Sequence, residues 1–219
     1  MNLAEKQKEV FWSRFAADFE ERNNYVAGHK EIGCLKKHLS ENKNLGKTLE
    51  LGCGDGVFTQ TIASNSEKVV ATDWSEEMLQ VTGQRFINHT NIEVKKENCL
   101  GLSFSDNSFD TVFMANLLHI VPTPEKALEE CKRVLKPGGS LIILSFTLHG
   151  MGIFNKLGML YRYVKTYGKP PKDSRKLTVA NVNDLLEKAG FEVKTISLIG
   201  DRMKSVYAIA GKKETTIDK

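Results

Sequence analysis

Paired cysteines are missing from this chain. Cys34, Cys53, Cys99 and Cys131 lie far apart with no CxxC among them, which argues against a thiolate zinc cage and against a disulfide framework, so no metal site is expected. Long apolar runs are missing too. The longest, LIILSF at 141–146, falls far short of the roughly 20 residues that span a bilayer. The opening MNLAEKQKEV mixes charges and has no apolar core, so it does not read as a secretory signal, and a cytoplasmic setting is expected. No internal repeat and no low-complexity tract is visible, and no pair of side chains stands out as a catalytic dyad.

What is present suits one α/β domain over residues 1–219, a length that can bury a sizeable core. From residue 48 onward, short β-branched or apolar runs alternate with longer amphipathic ones, the pattern of a parallel sheet covered by helices. Strands are predicted at TLEL, KVVATD, IEVKKEN, FDTVFMAN, GSLIILSF, FEVKTISLI and KSVYAIAGK. A helix is predicted from Thr123, with Pro124 in its first turn and Ala127, Leu128, Cys131, Val134 and Leu135 at helical spacing. Lys136, Pro137, Gly138 and Gly139 should stop it. A second helix runs over about 179–189, from Thr178 as N-cap to a stop at Gly190.

Two regions stand outside this alternation. Residues 1–45 read as helical and hold Phe11, Trp12, Phe15, Phe19 and Tyr25. Residues 147–176 separate two strands by a long aromatic insert punctuated by glycine, placed where α/β folds keep substrate contacts. The net charge of +4 and the stretch KTYGKPPKDSRK at 165–176 are compatible with a solvated surface, an anionic substrate or an RNA.

The stretch KTLELGCGDG at 47–56 ends a strand in three glycines spaced two apart. In an open parallel sheet the turn after the first strand is the closest backbone approach to a ligand, and Gly52, Gly54 and Gly56 remove the side chains that would block it. Asp73 ends the next strand about 20 residues on, where an acid accepts from a ribose diol. Together these point to a nucleoside-bearing cofactor. A dinucleotide fingerprint requires a third glycine where Val57 stands.

Taken in order, LELGCGDG, VVATDWSEEML, NCLGLSFSDNSFDTVFMANLLHIV and ALEECKRVLKPGGSLIIL resemble the class I S-adenosylmethionine-dependent methyltransferases. The resemblance is strong over residues 47–146, and the last two strands look like that family's closing antiparallel pair. It implies a doubly wound, mostly parallel, Rossmann-like sheet of seven strands in the order 3-2-1-4-5-7-6, the last antiparallel, with residues 1–45 as a helical lid and 147–176 as a substrate-side insert. It also implies S-adenosylmethionine as cofactor and S-adenosylhomocysteine as product.

By the same resemblance, Gly52, Cys53 and Gly54 face the methionine part, Glu50 orients that loop or reaches the amino group, and Asp73 binds the ribose. Trp74 and Met78 wall the adenine, Asn98 and Cys99 touch its edge, and the backbone of Ala115 and Asn116 faces the methionine part. Many relatives have Asp where Asn98 stands, yet an amide oxygen still accepts from an exocyclic amine. Tyr25 is placed over the cofactor from the lid, with Lys30 toward its carboxylate.

Transfer from a sulfonium needs alignment and exclusion of water more than acid or base help, so a missing dyad does not count against an enzyme. His119 is the candidate base, and His149, Tyr161, Tyr163 and Tyr167 are weaker candidates for lining the acceptor pocket. The expected acceptor is a small molecule attacked at nitrogen, oxygen or sulfur, with tRNA or another RNA as the alternative.

Overall fold

Successive side chains of a strand face opposite sides of its sheet, and that period sets how the chain is layered. The computed structural model describes residues 11–171 and 174–212. Within them, β1 (Lys47–Leu51), β2 (Lys68–Asp73), β3 (Ile92–Lys96), β4 (Phe109–Ala115), β5 (Leu135–Thr147), β6 (Phe191–Ile199) and β7 (Lys204–Lys212) form one sheet. Its order is β3-β2-β1-β4-β5-β7-β6. β1 pairs in parallel with β2 and β4, β2 with β3, and β4 with β5, whereas β7 runs antiparallel to both β5 and β6. The expected seven-stranded sheet, its order and its antiparallel last strand are all observed.

The helices are α1 (Phe19–Ala27), α2 (His29–Leu39), α3 (Thr59–Ala63), α4 (Glu76–Arg85), α5 (Pro124–Val134), α6 (Ile153–Tyr167) and α7 (Val179–Lys188). Strand periodicity divides the core between two faces. Val70, Val112, Met114, Leu141 and Ile143 meet Leu128, Cys131 and Val134 of α5 and Val182 and Leu186 of α7. Their neighbours Val69, Ala71, Phe113, Ile142 and Leu144 point the other way, toward Leu35 and Leu39 of α2 and Ile62 of α3. Helices on both faces leave the carboxyl ends of β1, β2 and β4 as an open edge, and the strand order reverses between β1 and β4, where such folds hold ligands.

Three local results correct or add detail to the sequence reading. α5 ends at Val134, and Leu135 pairs with Phe109 as the first residue of β5. Proline at 137 disfavours helix at Lys136, so the chain extends before it reaches the glycines. Gly139 then lies where an added Cβ would come within 2.9 Å of the Asp110 carbonyl oxygen, so a strand bulge rather than a loop accommodates it. Second, Thr178 caps α7 in a reciprocal box whose N3 partner is Asn181, an amide where Glu or Gln is usual. Third, the insert at 147–176 is organised around α6, a 15-residue helix.

Candidate active site

β1 delivers Glu50 and then breaks at Gly52. Gly52, Gly54 and Gly56 all have positive φ, at 68°, 57° and 79°, a backbone region that L side chains enter at a cost. The three serve different ends. An added Cβ on Gly52 would lie 3.0 Å from Leu117, and one on Gly54 would lie 3.4 Å from Phe19, so both keep the turn's surface bare toward the β4 loop and the N-terminal helices. On Gly56 it would lie 2.5 Å from Phe86, which makes that glycine a packing position between the turn and the end of α4 rather than part of a ligand approach.

The turn opens into a cavity of about 720 Å³. Eleven of the expected cofactor residues line it, Glu50, Gly52, Cys53, Gly54, Asp73, Trp74, Met78, Asn98, Cys99, Ala115 and Asn116, together with His119. Tyr25 does not. It is 47% exposed, and the reason is helical phase: Phe19, Asn23, Val26 and Ala27 of α1 face the cavity, and at about 100° per residue Tyr25 falls on the opposite side. Lys30 is exposed and also lies outside the lining. Of the insert residues, His149, Tyr163 and Tyr167 line the cavity, whereas Tyr161 is exposed.

Hydrogen bonds fix several of these side chains. Asp73 accepts from the Gly54 amide through Oδ2 and from the Ser75 amide through Oδ1, each at 2.9 Å, so the acid that ends β2 also holds the glycine turn. A carboxylate keeps further lone pairs beyond two such bonds. Asn98 Oδ1 accepts from the Leu100 amide at 2.9 Å, forming a local turn. Asn116 has a positive φ of 53°, and its Oδ1 accepts from the Phe146 amide at 2.8 Å, which ties the end of β4 to β5 and leaves its side chain committed. His119 Nδ1 lies 3.2 Å from the Ser145 hydroxyl, and its carbonyl accepts from the Arg175 amide at 2.9 Å, so the end of the insert is fastened to the β4 loop.

The floor of the cavity is acidic, and the carboxyls of Glu50 and Asp55 are buried. Glu50 is 2% exposed, and its Oε2 has no hydrogen-bond partner. Burial first, with the nearby charges of Asp73 and Asp55, raises its pKa to about 8 against the lowering effect of the Thr59 hydroxyl. Asp55, whose Oδ2 is buried without a partner, is also raised by burial, with Arg85 acting against the shift. Burial pushes the Cys53 thiol well above its usual range, which makes it a poor nucleophile.

Trp12 and Phe19, two of the aromatics of the first 45 residues, have no expected place in the site from the sequence alone. With Asn23 and Tyr167 they form one side of the cavity. Trp12 and Phe19 meet edge-on at 6.1 Å between centroids, and Trp12 and Tyr167 at 5.6 Å. The Tyr167 hydroxyl donates to Asn23 Oδ1 at 2.9 Å. The 12, 15, 19 spacing was a helical signal, but its target, a helix inside the insert, lay more than a hundred residues away.

A bare glycine turn, an acid at the next strand end and a cavity at the reversal of strand order are the features by which α/β proteins hold a nucleoside cofactor. Comparison with known proteins narrows that class. Residues 49–143 match the model of a methyltransferase domain. An uncharacterized protein of Methanocaldococcus jannaschii is 32% identical over 197 residues, covering 88% of this chain and 82% of that one. The demethylmenaquinone methyltransferase of Staphylococcus carnosus is 27% identical, covering 99% of this chain and 89% of that one. Among solved structures, a SAM-dependent methyltransferase from Thermotoga maritima superposes with a TM-score of 0.70 at 24% identity, over 93% of this chain and 99% of that one. The chain belongs to the class I S-adenosylmethionine-dependent methyltransferases.

Proposed function

We propose that this methyltransferase acts on a small organic acceptor, at nitrogen, oxygen or sulfur, held in the same cavity as the cofactor. The observation that carries this reading is the cavity's size and walls: about 720 Å³ between the glycine turn, the N-terminal aromatics and α6, within the range of small-molecule sites.

The residues fit S-adenosylmethionine on two features of the chain itself. Glu50 offers a buried carboxyl oxygen without a partner, suited to an ammonium group, and Gly52 and Gly54 form a cradle that side chains would fill. Asp73 would hold the ribose while bracing the turn, Trp74 and Met78 would wall the adenine, and Asn98 and Cys99 would border its edge. The Ala115 and Asn116 backbone would flank the methionine part. When bound, the cofactor supplies an activated methyl on a positively charged sulfur.

The chain's own task is then alignment and dryness. Trp12, Phe19 and Tyr167 border one side of the cavity, so the described part of the N-terminal segment, residues 11–45, serves as a lid, and residues 1–10 of the expected lid lie outside the described residues. For acceptors that must lose a proton, His119 is the base, its ring oriented by Ser145. The basic run at 165–176 motivates RNA as the second reading, but its exposed Arg175 is already engaged within the chain. It donates to the Pro122 carbonyl at 2.9 Å and lies 3.6 Å from Glu125, which favours the small-molecule reading.

Calorimetry with S-adenosylmethionine and its demethylated product should show binding of both. Tritium from methyl-labelled donor should then enter a small-molecule extract rather than an RNA fraction. No binding of either form sinks the cofactor assignment, and label confined to RNA sinks the acceptor assignment.

A further inference from the structure

α6 packs along one face and leaves the other uncovered. Met159, Tyr163 and Tyr167 turn inward among the N-terminal aromatics. Ile153, Phe154, Leu157, Leu160, Tyr161 and Val164 are exposed, Phe154 by 86%. These six are most of the eight large hydrophobic side chains exposed among the described residues, so the exposure is a patch and not scatter. At about 100° per residue they fall within an arc of about 120°, the width of stripe that a globular helix normally buries. Patches of this kind mark interaction sites.

Charge says what covers the stripe. Lys165 borders it on one side and Lys156 on the other, and exposed Lys169 follows the helix. From residue 147 to 172 the sequence contains no Asp or Glu. Exposed Tyr25 adds an aromatic ring beside it, 5.9 Å from Lys165 Nζ. A second copy pairing through the same patch would set these cations against each other, since a twofold interface is self-complementary. An anionic lipid surface meets both features, taking the apolar stripe into its headgroup layer and neutralising the lysines. With 15 residues the helix is too short to cross a bilayer, and no helix among the described residues is long and apolar enough to do so.

We propose that α6 docks the enzyme on an anionic lipid surface through the stripe from Ile153 to Val164 and its flanking lysines. The same helix lines the cavity with Lys156, Met159, Leu160 and Tyr163, so the docking face and the wall of the site are one element. If the acceptor reading above holds, a lipid-soluble acceptor reaches the site along this wall. The docking itself is measured without acceptor or cofactor, so its failure is distinct from failure of that reading.

The test is co-sedimentation of the full chain with vesicles of phosphatidylglycerol mixed with phosphatidylcholine, and with vesicles of phosphatidylcholine alone. Binding is expected to the anionic vesicles and to weaken with salt. The triple variant Phe154→Ser, Leu157→Ser, Tyr161→Ser should lower it at least roughly tenfold, the scale for one buried apolar side chain. Lys165→Gln with Lys169→Gln should lower it roughly fivefold per lysine. Both variants alter exposed side chains, and both should keep the wild-type circular dichroism and affinity for S-adenosylhomocysteine. Should the triple variant misfold, the lysine variant decides. Wild-type protein that ignores anionic vesicles, or variants that sediment like wild type, overturn the proposal. So does a dimer in sedimentation velocity that the triple variant abolishes, because the stripe then belongs to a second copy.

Discussion

Glu50 combines 2% exposure, an oxygen without a hydrogen-bond partner and a pKa raised to about 8. Its folded pKa lies above its unfolded value, so the folded state holds the proton more tightly. Stability is therefore fully present below the unfolded value and is lost as pH rises from about 4.5 to about 8, by several kcal/mol in all. A cationic group arriving at Oε2 reverses the preference and expels the proton. We predict that cofactor binding near neutral pH releases about one proton, read as a dependence of calorimetric enthalpy on buffer ionisation heat. Glu50→Gln should abolish that release, weaken cofactor affinity by about 1.5–3 kcal/mol, the scale for a charged hydrogen bond, and raise the melting temperature of the free protein at pH 8. Proton release unchanged in the variant would remove Glu50 from the cofactor's amino end. His119 is tested separately. If it is the base, His119→Ala should lower kcat with cofactor affinity unchanged, whereas wild-type turnover returns it to a positioning role beside Ser145.

At the scale of elements, strands were the most legible part of the sequence, because a two-residue period is short and each β-branched run carries it alone. The boundaries that failed were set by partners the local pattern does not contain. β5 begins four residues before GSLIILSF because Leu135 pairs with Phe109. The cavity wall proposed for the cofactor was legible for a related reason: Glu50, Gly52, Gly54 and Asp73 lie at strand ends, whose positions the strands fix. The acceptor side was not. α6 and α1 meet across residues distant in sequence, and neither Tyr25's outward phase nor Tyr167's inward one follows from composition. This yields a prediction for the helices as a unit. Phe19→Ala removes the ring next to Gly54 and its contacts with Trp12 and Tyr167, opening the cavity to water on the side where α1 meets α6. Turnover should fall by at least roughly tenfold, while stability drops by less than the 3–5 kcal/mol of a fully buried phenylalanine, because Phe19 is only partly buried. Turnover equal to wild type would show that the N-terminal segment merely covers the fold.

At the scale of the whole molecule, the site can be separated from the frame that carries it. Behind the sheet edge, Arg133 of α5 binds Glu130 through Nε and Nη2 at 2.9 and 2.8 Å, Asp106 at 2.9 Å, and the carbonyls of Leu102 and Phe104 at 2.9 and 2.7 Å. Glu130 also accepts from the Leu102 amide at 2.7 Å. One guanidinium thus closes the 102–106 loop onto α5, and none of these five residues lines the cavity. The Arg133 hydrogen bond holds the Glu130 carboxyl below its usual range. That shift is opposite in sign to Glu50's: its contribution is present above the unfolded carboxylate value and is lost as pH falls through the lower folded value. Removing the arginine leaves a largely buried carboxylate and two carbonyls short of a donor, at a cost of about 2–3 kcal/mol. For a chain of this size that corresponds to a fall in Tm of about 5–10 °C. Arg133→Ala should therefore melt earlier at neutral pH and show a shallower loss of stability on acidification than wild type, yet bind S-adenosylhomocysteine with unchanged Kd. An altered Kd would mean that the loop's closure reaches the cavity residues Asn98 and Cys99, proposed to border the adenine and lying a few positions upstream of Leu102, so that frame and site form one coupled unit.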